Sequence, residues 1–329
     1  MLIERRSDPR CFQNLVAEWQ KLLPLSVDDQ IFTTSYFQNA WWESFGEGEL
    51  NVITVRNDAK KLTGIFPFYK VGSGLHVLAS KEVTDYFDFI VEIRNSKQIY
   101  AGVVNELEKF SWKSLTILSL PQASPTLKDF AKLLEKKGWK VEKVQQNVCP
   151  IITLPKTWDE YLTSIGRKQR HEIRRKWKNL EAKTHPKFVV IETEKNINQA
   201  IKDFLRLHKS SSTEKAGFWN PAQEKYFSLI MKAAAREGWL KLYFLEIDGV
   251  RSASMVCFDY NNIFYLYNSG YDPAQFAGLS VGNVLTAYTI KHAIELGRSK
   301  YDFLRGDEEY KLRFRAVAEP IFDLKVSRV

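Results

Sequence analysis

The chain has 329 residues, 44% hydrophobic and 13% aromatic, which exceeds the size at which one core keeps growing and excludes a disordered chain. Its 48 Lys and Arg against 39 Asp and Glu leave a formal charge of +9, predicting attraction to an anion such as nucleic acid, anionic lipid or a phosphate-bearing cofactor. Three distant cysteines, Cys11, Cys149 and Cys257, argue against a disulfide framework or a zinc site, and the charged start MLIERRSDPR lacks a signal peptide's apolar core. No run approaches the roughly 18 apolar residues of a spanning helix, so the expectation is a cytoplasmic protein without metal or integral membrane association.

A helical pattern covers 12–23, and TSYFQNAWWESFG offers Thr34 or Ser35 as the cap of an aromatic-rich helix. LNVITVR and LTGIFPFYK read as strands on either side of the NDAKK turn. GLHVLAS, DYFDFIV and SLTILSL read as further strands, with a helical stretch at 96–110 among them, and a helix over 126–137 stops at Gly138. Such alternation predicts an α/β domain over 1–150.

A second domain is expected over 151–329. After the strand CPIITLP it opens on one long helix, TWDEYLTSIGRKQRHEIRRKWKNLEAK, with Leu162, Ile165, Ile173, Trp177 and Leu180 on one face and Arg167, Arg170, Arg174 and Lys178 in a neighbouring stripe. The stripe is either a solvated face or one lying along an anionic ligand. The strand KFVVIET and a helix over 197–208 lead to the loop SSSTEKAGFWNP, whose Phe218 and Trp219 are costly to leave in water unless they cover something. A helix starts at Pro221. Three strands then form a meander, WLKLYFLEI, VRSASMVCFDY and NIFYLYNSG, joined by turns at Asp248-Gly249 and Asn261-Asn262.

The next helix, from Ser280 to its stop at Gly297, is entered through AGLSVGN, with Gly278 and Gly282 around a serine. Glycine admits close approach to the backbone and free first-turn N–H groups attract phosphate, although two glycines at a helix start serve equally as a cap or packing contact. The stretch YDFLRGDEEYKLRF, from Tyr301, follows: a short strand, a glycine turn at Gly306 and a dense mix of acids and bases.

GRKQRHEIRR, the meander ending NSGYDP, the glycine-bearing helix and YDFLRGDEEYK together resemble the cellulose-biosynthesis-type and Fem-type acyltransferases with a BioF2-like domain, best over 157–314. TSYFQNAWWESFG, GIFPFYK and TDYFDF are similar to that family's N-terminal half. The resemblance implies an α/β fold of tandem GCN5-related N-acetyltransferase (GNAT) domains, mixed central sheets flanked by helices, with the acyl-CoA groove in the second. The paired echo DYFDFI at Asp85 and YDFLRG at Tyr301 is compatible with such a duplication. By the same resemblance, acyl-CoA, foremost acetyl-CoA, is the donor, and Gly278, Leu279, Ser280, Val281, Gly282 and Asn283 hold its pyrophosphate. That run lacks the full glycine-rich signature, which keeps aminoacyl-tRNA, the donor of Fem-type relatives, as the alternative.

Acyl transfer to an amine needs a proton acceptor and donors facing the developing oxyanion. Asp302, Asp307 and Glu308 are the candidate bases, with Asp302 equally suited to accepting a loop N–H or pairing with Arg305. Lys311 matches the family's YK lysine and is assigned the oxyanion or a phosphate. Tyr310 is either a proton donor to the leaving group or packing. Arg170 and Arg174 are candidates for phosphate or substrate binding in forked geometry. Tyr271 and Asp272 are candidates for the acceptor site, Asp272 before Pro273 being also an ordinary turn starter. The five histidines are isolated, and no nucleophile elbow or P-loop is present. Two classes of function remain: an N-acyltransferase acting on a small or sugar amine in polysaccharide or cell-envelope synthesis, with an aminoacyl-tRNA-dependent variant on a cell-wall precursor, or a non-catalytic fold whose basic face binds nucleic acid or another anion.

Overall fold

The computed structural model describes residues 1–328, and the chain divides into two units: Met1–Val148 joined by the strand residues from Glu319 onward, and Cys149–Ala318. The sequence expectation ran the second domain to the chain's end. The last strand groups with the first unit because its alternate residues Leu324 and Val326 are buried in that unit's core.

In the first unit the strands are β1 (Leu2–Arg6), β2 (Glu49–Arg56), β3 (Leu62–Val71), β4 (Gly74–Val77), β5 (Ile90–Val91) and β6 (Ser114–Pro121). The helices are α1 (Cys11–Asn14), α2 (Val16–Leu22), α3 (Ser35–Phe45), α4 (Ser96–Glu108) and α5 (Ala131–Lys136). Strands β1 to β4 pair antiparallel in order, β4 runs parallel to β6, and β6 is antiparallel to the final strand, Val317–Ser327. Thr34 caps α3 by accepting the Phe37 N–H. The core is aromatic, with Phe66, Phe68, Phe89, Tyr100 and Phe130 in mutual ring contact.

The strand β7 (Lys140–Thr153) carries the chain into the second unit. There follow α6 (Trp158–Ser164), α7 (Arg167–Lys183), β8 (Pro186–Ile191), α8 (Ile197–Ser211), α9 (Thr213–Gly217) and α10 (Pro221–Arg236). The meander β9 (Leu240–Ile247), β10 (Val250–Tyr260) and β11 (Ile263–Tyr271) comes next, then α11 (Pro273–Phe276), α12 (Val281–Glu295), β12 (Lys300–Asp302) and α13 (Glu309–Arg313). Strands β8 to β11 pair antiparallel in order, β11 runs parallel to β12, and β12 is antiparallel to the end of β7. This succession of pairings repeats that of the first unit. The meander's turns have positive φ at Asp248, Gly249, Asn261 and Asn262, as the primed turns of two-residue hairpins require.

Four expectations change. DYFDFIV is a strand only at Ile90–Val91: the Phe87 N–H goes to the Ser119 carbonyl, and Tyr86, Phe87 and Phe89 are all buried instead of alternating. The Asp-Phe echo does not mark equivalent positions, because Asp88 precedes α4 whereas Asp302 follows α12. The long helix from Trp158 is two helices, broken where Ile165 turns extended to bury its side chain and Gly166 caps α7. The loop SSSTEKAGFWNP contains a helical turn, α9, capped by the Ser212 hydroxyl accepting the Lys215 N–H.

Among the described residues no helix is long and apolar enough to cross a membrane, and the three cysteines are free and buried. One contact fixes α8 on β11. A Cβ at Gly270 would lie 2.4 Å from both the N and Cα of His208, so only glycine lets helix and strand backbones meet there. Gly270→Ala should therefore destabilise the fold by about 2 kcal/mol or more, read as a lowered urea midpoint; an unchanged midpoint would show that α8 does not need this approach.

Candidate functional site

Strands β11 and β12 are in parallel register for three pairs, from Ile263↔Lys300 to Tyr265↔Asp302, and β11 then runs on to Tyr271 paired with β10 but not with β12. The register of β10 with β11 slips between Val256 and Cys257, leaving Tyr267 as an extra residue that adds twist where the strands part. Alongside, α12 begins without a side-chain cap. Ser280 at its N-cap is left-handed (φ 54°), and the first intrahelical bond is that of the Val284 N–H to the Ser280 carbonyl. The N–H groups of Val281, Gly282 and Asn283 thus have no acceptor in the helix, and the helix dipole adds positive potential there. Nothing lies within 4 Å of where a Cβ on Gly278 or Gly282 would be. The predicted phosphate-binding run is therefore open backbone, with Val281 buried in the core and Asn283 exposed.

The loop after β12 is built around Lys311. Asp302, 3% exposed, accepts the Leu304 N–H at 2.7 Å, and Leu304 and Gly306 have positive φ (56° and 122°). The turn directs three successive carbonyls at one point. Lys311, also 3% exposed, donates to the carbonyls of Leu304 (3.3 Å), Arg305 (2.8 Å) and Gly306 (3.3 Å) and pairs with Glu308 Oε2 at 2.8 Å. The sequence expectation gave Lys311 the oxyanion or a phosphate; here its ammonium hydrogen-bonds the loop carbonyls. Asp302 accepts a loop N–H at the strand end, a contact considered for it beside the role of base.

Glu308 is the more accessible carboxylate, its side chain 56% exposed. The Tyr310 phenol, set edge-on to Phe303, has its pKa pushed up by burial and then by the Glu308 charge, so it keeps its proton across the physiological range. Asp307 is exposed on the loop, and it is Glu308 that meets Lys311.

A second lysine, unremarked in the sequence, joins this group. Lys215 of α9 donates to the Ser269 carbonyl on β11 at 2.5 Å. Burial lowers its pKa, and the charges of Glu308 and Glu214 oppose that fall. His208 beside it is buried, accepts the Trp219 indole N–H on Nδ1 at 2.9 Å, and is pushed down to about 3 by burial and by Lys215. It is a neutral structural ring. The signal for this corner was the costly Phe218 and Trp219, which pack on His208, Phe204 and Phe227.

The remaining candidates lie apart from the loop. Arg170, half-buried, donates to the Leu162 carbonyl at 3.2 Å, while Arg174 is exposed. Both are on α7, which buries Ile173 and Leu180 and packs on α12 and on the turn preceding it. Tyr271 donates its N–H to Ser211 Oγ at 2.8 Å. Asp272 is spent as a turn carboxylate, Oδ1 accepting the N–H groups of Ala274 (2.9 Å) and Gln275 (3.3 Å). Among the described residues no group of three His, Cys, Asp or Glu is arranged to hold a metal.

Residues 167–312, within the second unit, match the family model described as an Acetyltransferase (GNAT) domain. No curated protein sequence matches the chain. Among solved structures, FemX is 14% identical with a TM-score of 0.69, covering 98% of this chain and 97% of its own. L-PGS from Bacillus licheniformis is 12% identical with a TM-score of 0.60, covering 95% of this chain and 91% of its own. A tandem GNAT protein from the clavulanic acid biosynthesis pathway is 9% identical with a TM-score of 0.50, over 99% and 98%. The fold is thus the α/β tandem GNAT fold, with mixed sheets flanked by helices.

A Cβ on Gly306 would fall 2.1 Å from Glu308 Oε2 and 2.9 Å from Lys311 Nζ. Lys311→Met, which leaves buried carbonyls without a donor, should cost about 1–3 kcal/mol, and Gly306→Ala a similar amount. Urea unfolding of both checks this. A Lys311→Met midpoint equal to that of the parent would mean that the loop does not rely on the ammonium.

Proposed function

We propose that the second unit is an N-acyltransferase that moves an acyl group, foremost acetyl, from acyl-CoA to the amine of a small or sugar acceptor. The observation that carries the reading is the stretch of β11 past Tyr265, where its β12 edge is left unpaired, bordered by the open first turn of α12 and, through Lys215 and Glu308, by the loop after β12. The free N–H groups of Val281, Gly282 and Asn283 suit a pyrophosphate, and the space above Gly278 and Gly282 lets it reach the backbone. Glu308 is the exposed carboxylate of the group and takes the proton from the acceptor ammonium. Tyr310, kept protonated, gives a proton to the departing thiolate. Lys311 holds the loop that carries both. An amino sugar of polysaccharide or cell-envelope synthesis is the acceptor class that the family resemblance favours, and the site then serves a cytoplasmic enzyme.

One observation favours a second donor. Helix α7 carries eight Lys or Arg against two acids in 17 residues, most of them exposed, and it borders the start of α12. A polyanion such as aminoacyl-tRNA would meet that face, and the fold likeness to FemX and L-PGS is in keeping with it.

Thermal-shift titration with acetyl-CoA and longer acyl-CoAs, with ATP as the control for general anion binding, separates the readings. A saturating donor at 100 times its Kd should add about 2.7 kcal/mol of stability. Stabilisation by no acyl-CoA, together with tight salt-sensitive RNA binding, would overturn the acyl-CoA reading. Given an active donor and acceptor pair, Glu308→Gln and Tyr310→Phe should each lower kcat about a hundredfold in steady-state assays, and unchanged kcat in either would remove that residue from its role.

A further inference from the structure

Past Tyr265, the edge of β11 that faces away from β10 has no strand partner. Its backbone N–H groups are nevertheless taken. Tyr271 gives its N–H to Ser211 Oγ at 2.8 Å, and Ser269, two residues back and so facing the same way, gives its N–H to Asn268 Oδ1 at 2.9 Å. The Ser269 carbonyl accepts from Lys215 Nζ at 2.5 Å. What this stretch of edge still offers a ligand is the rest of the Lys215 ammonium, which has three N–H bonds and spends one on Ser269.

Lys215 is half-buried and forms no ion pair among the described residues. Lys311, by contrast, has Glu308 Oε2 at 2.8 Å. Glu214, next to Lys215 in the chain, is exposed and does not meet its ammonium. A partly desolvated ammonium with only a neutral carbonyl beside it is short of an anion. Because β12 runs parallel to β11 up to Tyr265↔Asp302, the loop that follows leaves in the direction of Ser269 and carries Glu308, whose Oε1 accepts no hydrogen bond among the described residues. Strand edge and loop thus offer a cation without an anion and a carboxylate oxygen without a donor.

We propose that the acyl acceptor is a zwitterion: beside its amine it carries an anionic oxygen group, a carboxylate or a phosphate, which the Lys215 ammonium binds while the amine meets Glu308. This deepens the acyltransferase reading and rests on it for the role of the amine. An anionic oxygen accepts the N–H bonds that Ser269 leaves over and supplies the missing counter-charge, in a hydrogen bond stronger than one to a neutral group. A neutral amine leaves the Lys215 charge as it was. Lys215 is therefore a specificity residue that acts through acceptor binding and moves no proton. Burial holds its pKa down, and a bound anion raises it again.

Two measurements on the full-length chain test this. The first needs no donor: NMR of isotope-labelled lysine Cε during titration with glucosamine 6-phosphate and with L- and D-alanine, against glucosamine and alaninamide as neutral counterparts. The Lys215 signal, identified by its low titration midpoint and by its absence from Lys215→Arg, should shift with an anionic probe and not with its neutral counterpart, and its midpoint should rise on binding. A response to the sugar phosphate assigns the anion to a phosphate, and a response to alanine assigns it to a carboxylate. The second follows thiol release from acetyl-CoA. The parent's kcat/KM for the responding probe should exceed that for its neutral counterpart about tenfold or more; Lys215→Met should bring the ratio close to one, mainly through KM, and Lys215→Arg should restore part of it. A Lys215 signal that moves with no anionic probe, or equally with the neutral ones, would overturn the proposal, as would the parent's ratio persisting in Lys215→Met. A Lys215 response without turnover of any acyl-CoA would support the anion site and sink the transfer reading alone. If the variants do not fold, the parent's low-midpoint lysine signal decides.

Discussion

A chain that reverses inside a folded unit turns its carbonyls inward, and buried carbonyls need donors. After β12 the reversal is tight enough that Leu304, Arg305 and Gly306 present three in a row, and a single ammonium, that of Lys311, answers them. A buried ammonium needs a counter-charge, which Glu308 supplies. Much of the site follows from that arrangement. Glu308 is held where it influences both Tyr310 and Lys215, Gly306 has no room for a side chain, and Asp302 completes the strand end by accepting a loop N–H.

The two units repeat one succession of strand pairings and put it to different ends. In the first, β4 stops at Val77, and the chain beyond it lies against β6, the Phe87 N–H meeting the Ser119 carbonyl beneath buried aromatic rings. In the second, β11 continues six residues past its last pair with β12, and the helix start beside it is left open. The same topology is thus packed shut in one copy and kept open in the other. The first copy also holds a polar interior of its own, centred on Asp88.

Ionisable side chains within this fold show how burial sorts chemistry. Lys311 and Asp302 are among the most buried charged residues and do structural work through hydrogen bonds that local backbone geometry demands. His208, the histidine nearest the end of β11, is fixed neutral by burial and an indole donor, and so cannot serve as a base near neutral pH. Glu308, by contrast, is partly exposed and lies next to a phenol that keeps its proton.

The meander, its two primed turns, the helix entered through AGLSVGN and the strand and glycine turn of YDFLRGDEEYKLRF were all legible in the sequence, because periodicity and turn chemistry are local properties that a short window contains. So was the likeness to the acyltransferase fold, which rests on the order of such windows. What Lys311 does was not legible: a lysine in a charged run reads as solvated or functional, and only the path of the loop brings three carbonyls to it. Lys215 and Glu308 are 93 residues apart and come together through α9 and the end of β11, a meeting without a sequence signal. Local pattern by itself determined the elements and their order. Tertiary structure decided which charges are buried, which are paired and which remain available, because desolvation and hydrogen bonding depend on neighbours that the chain brings in from far away.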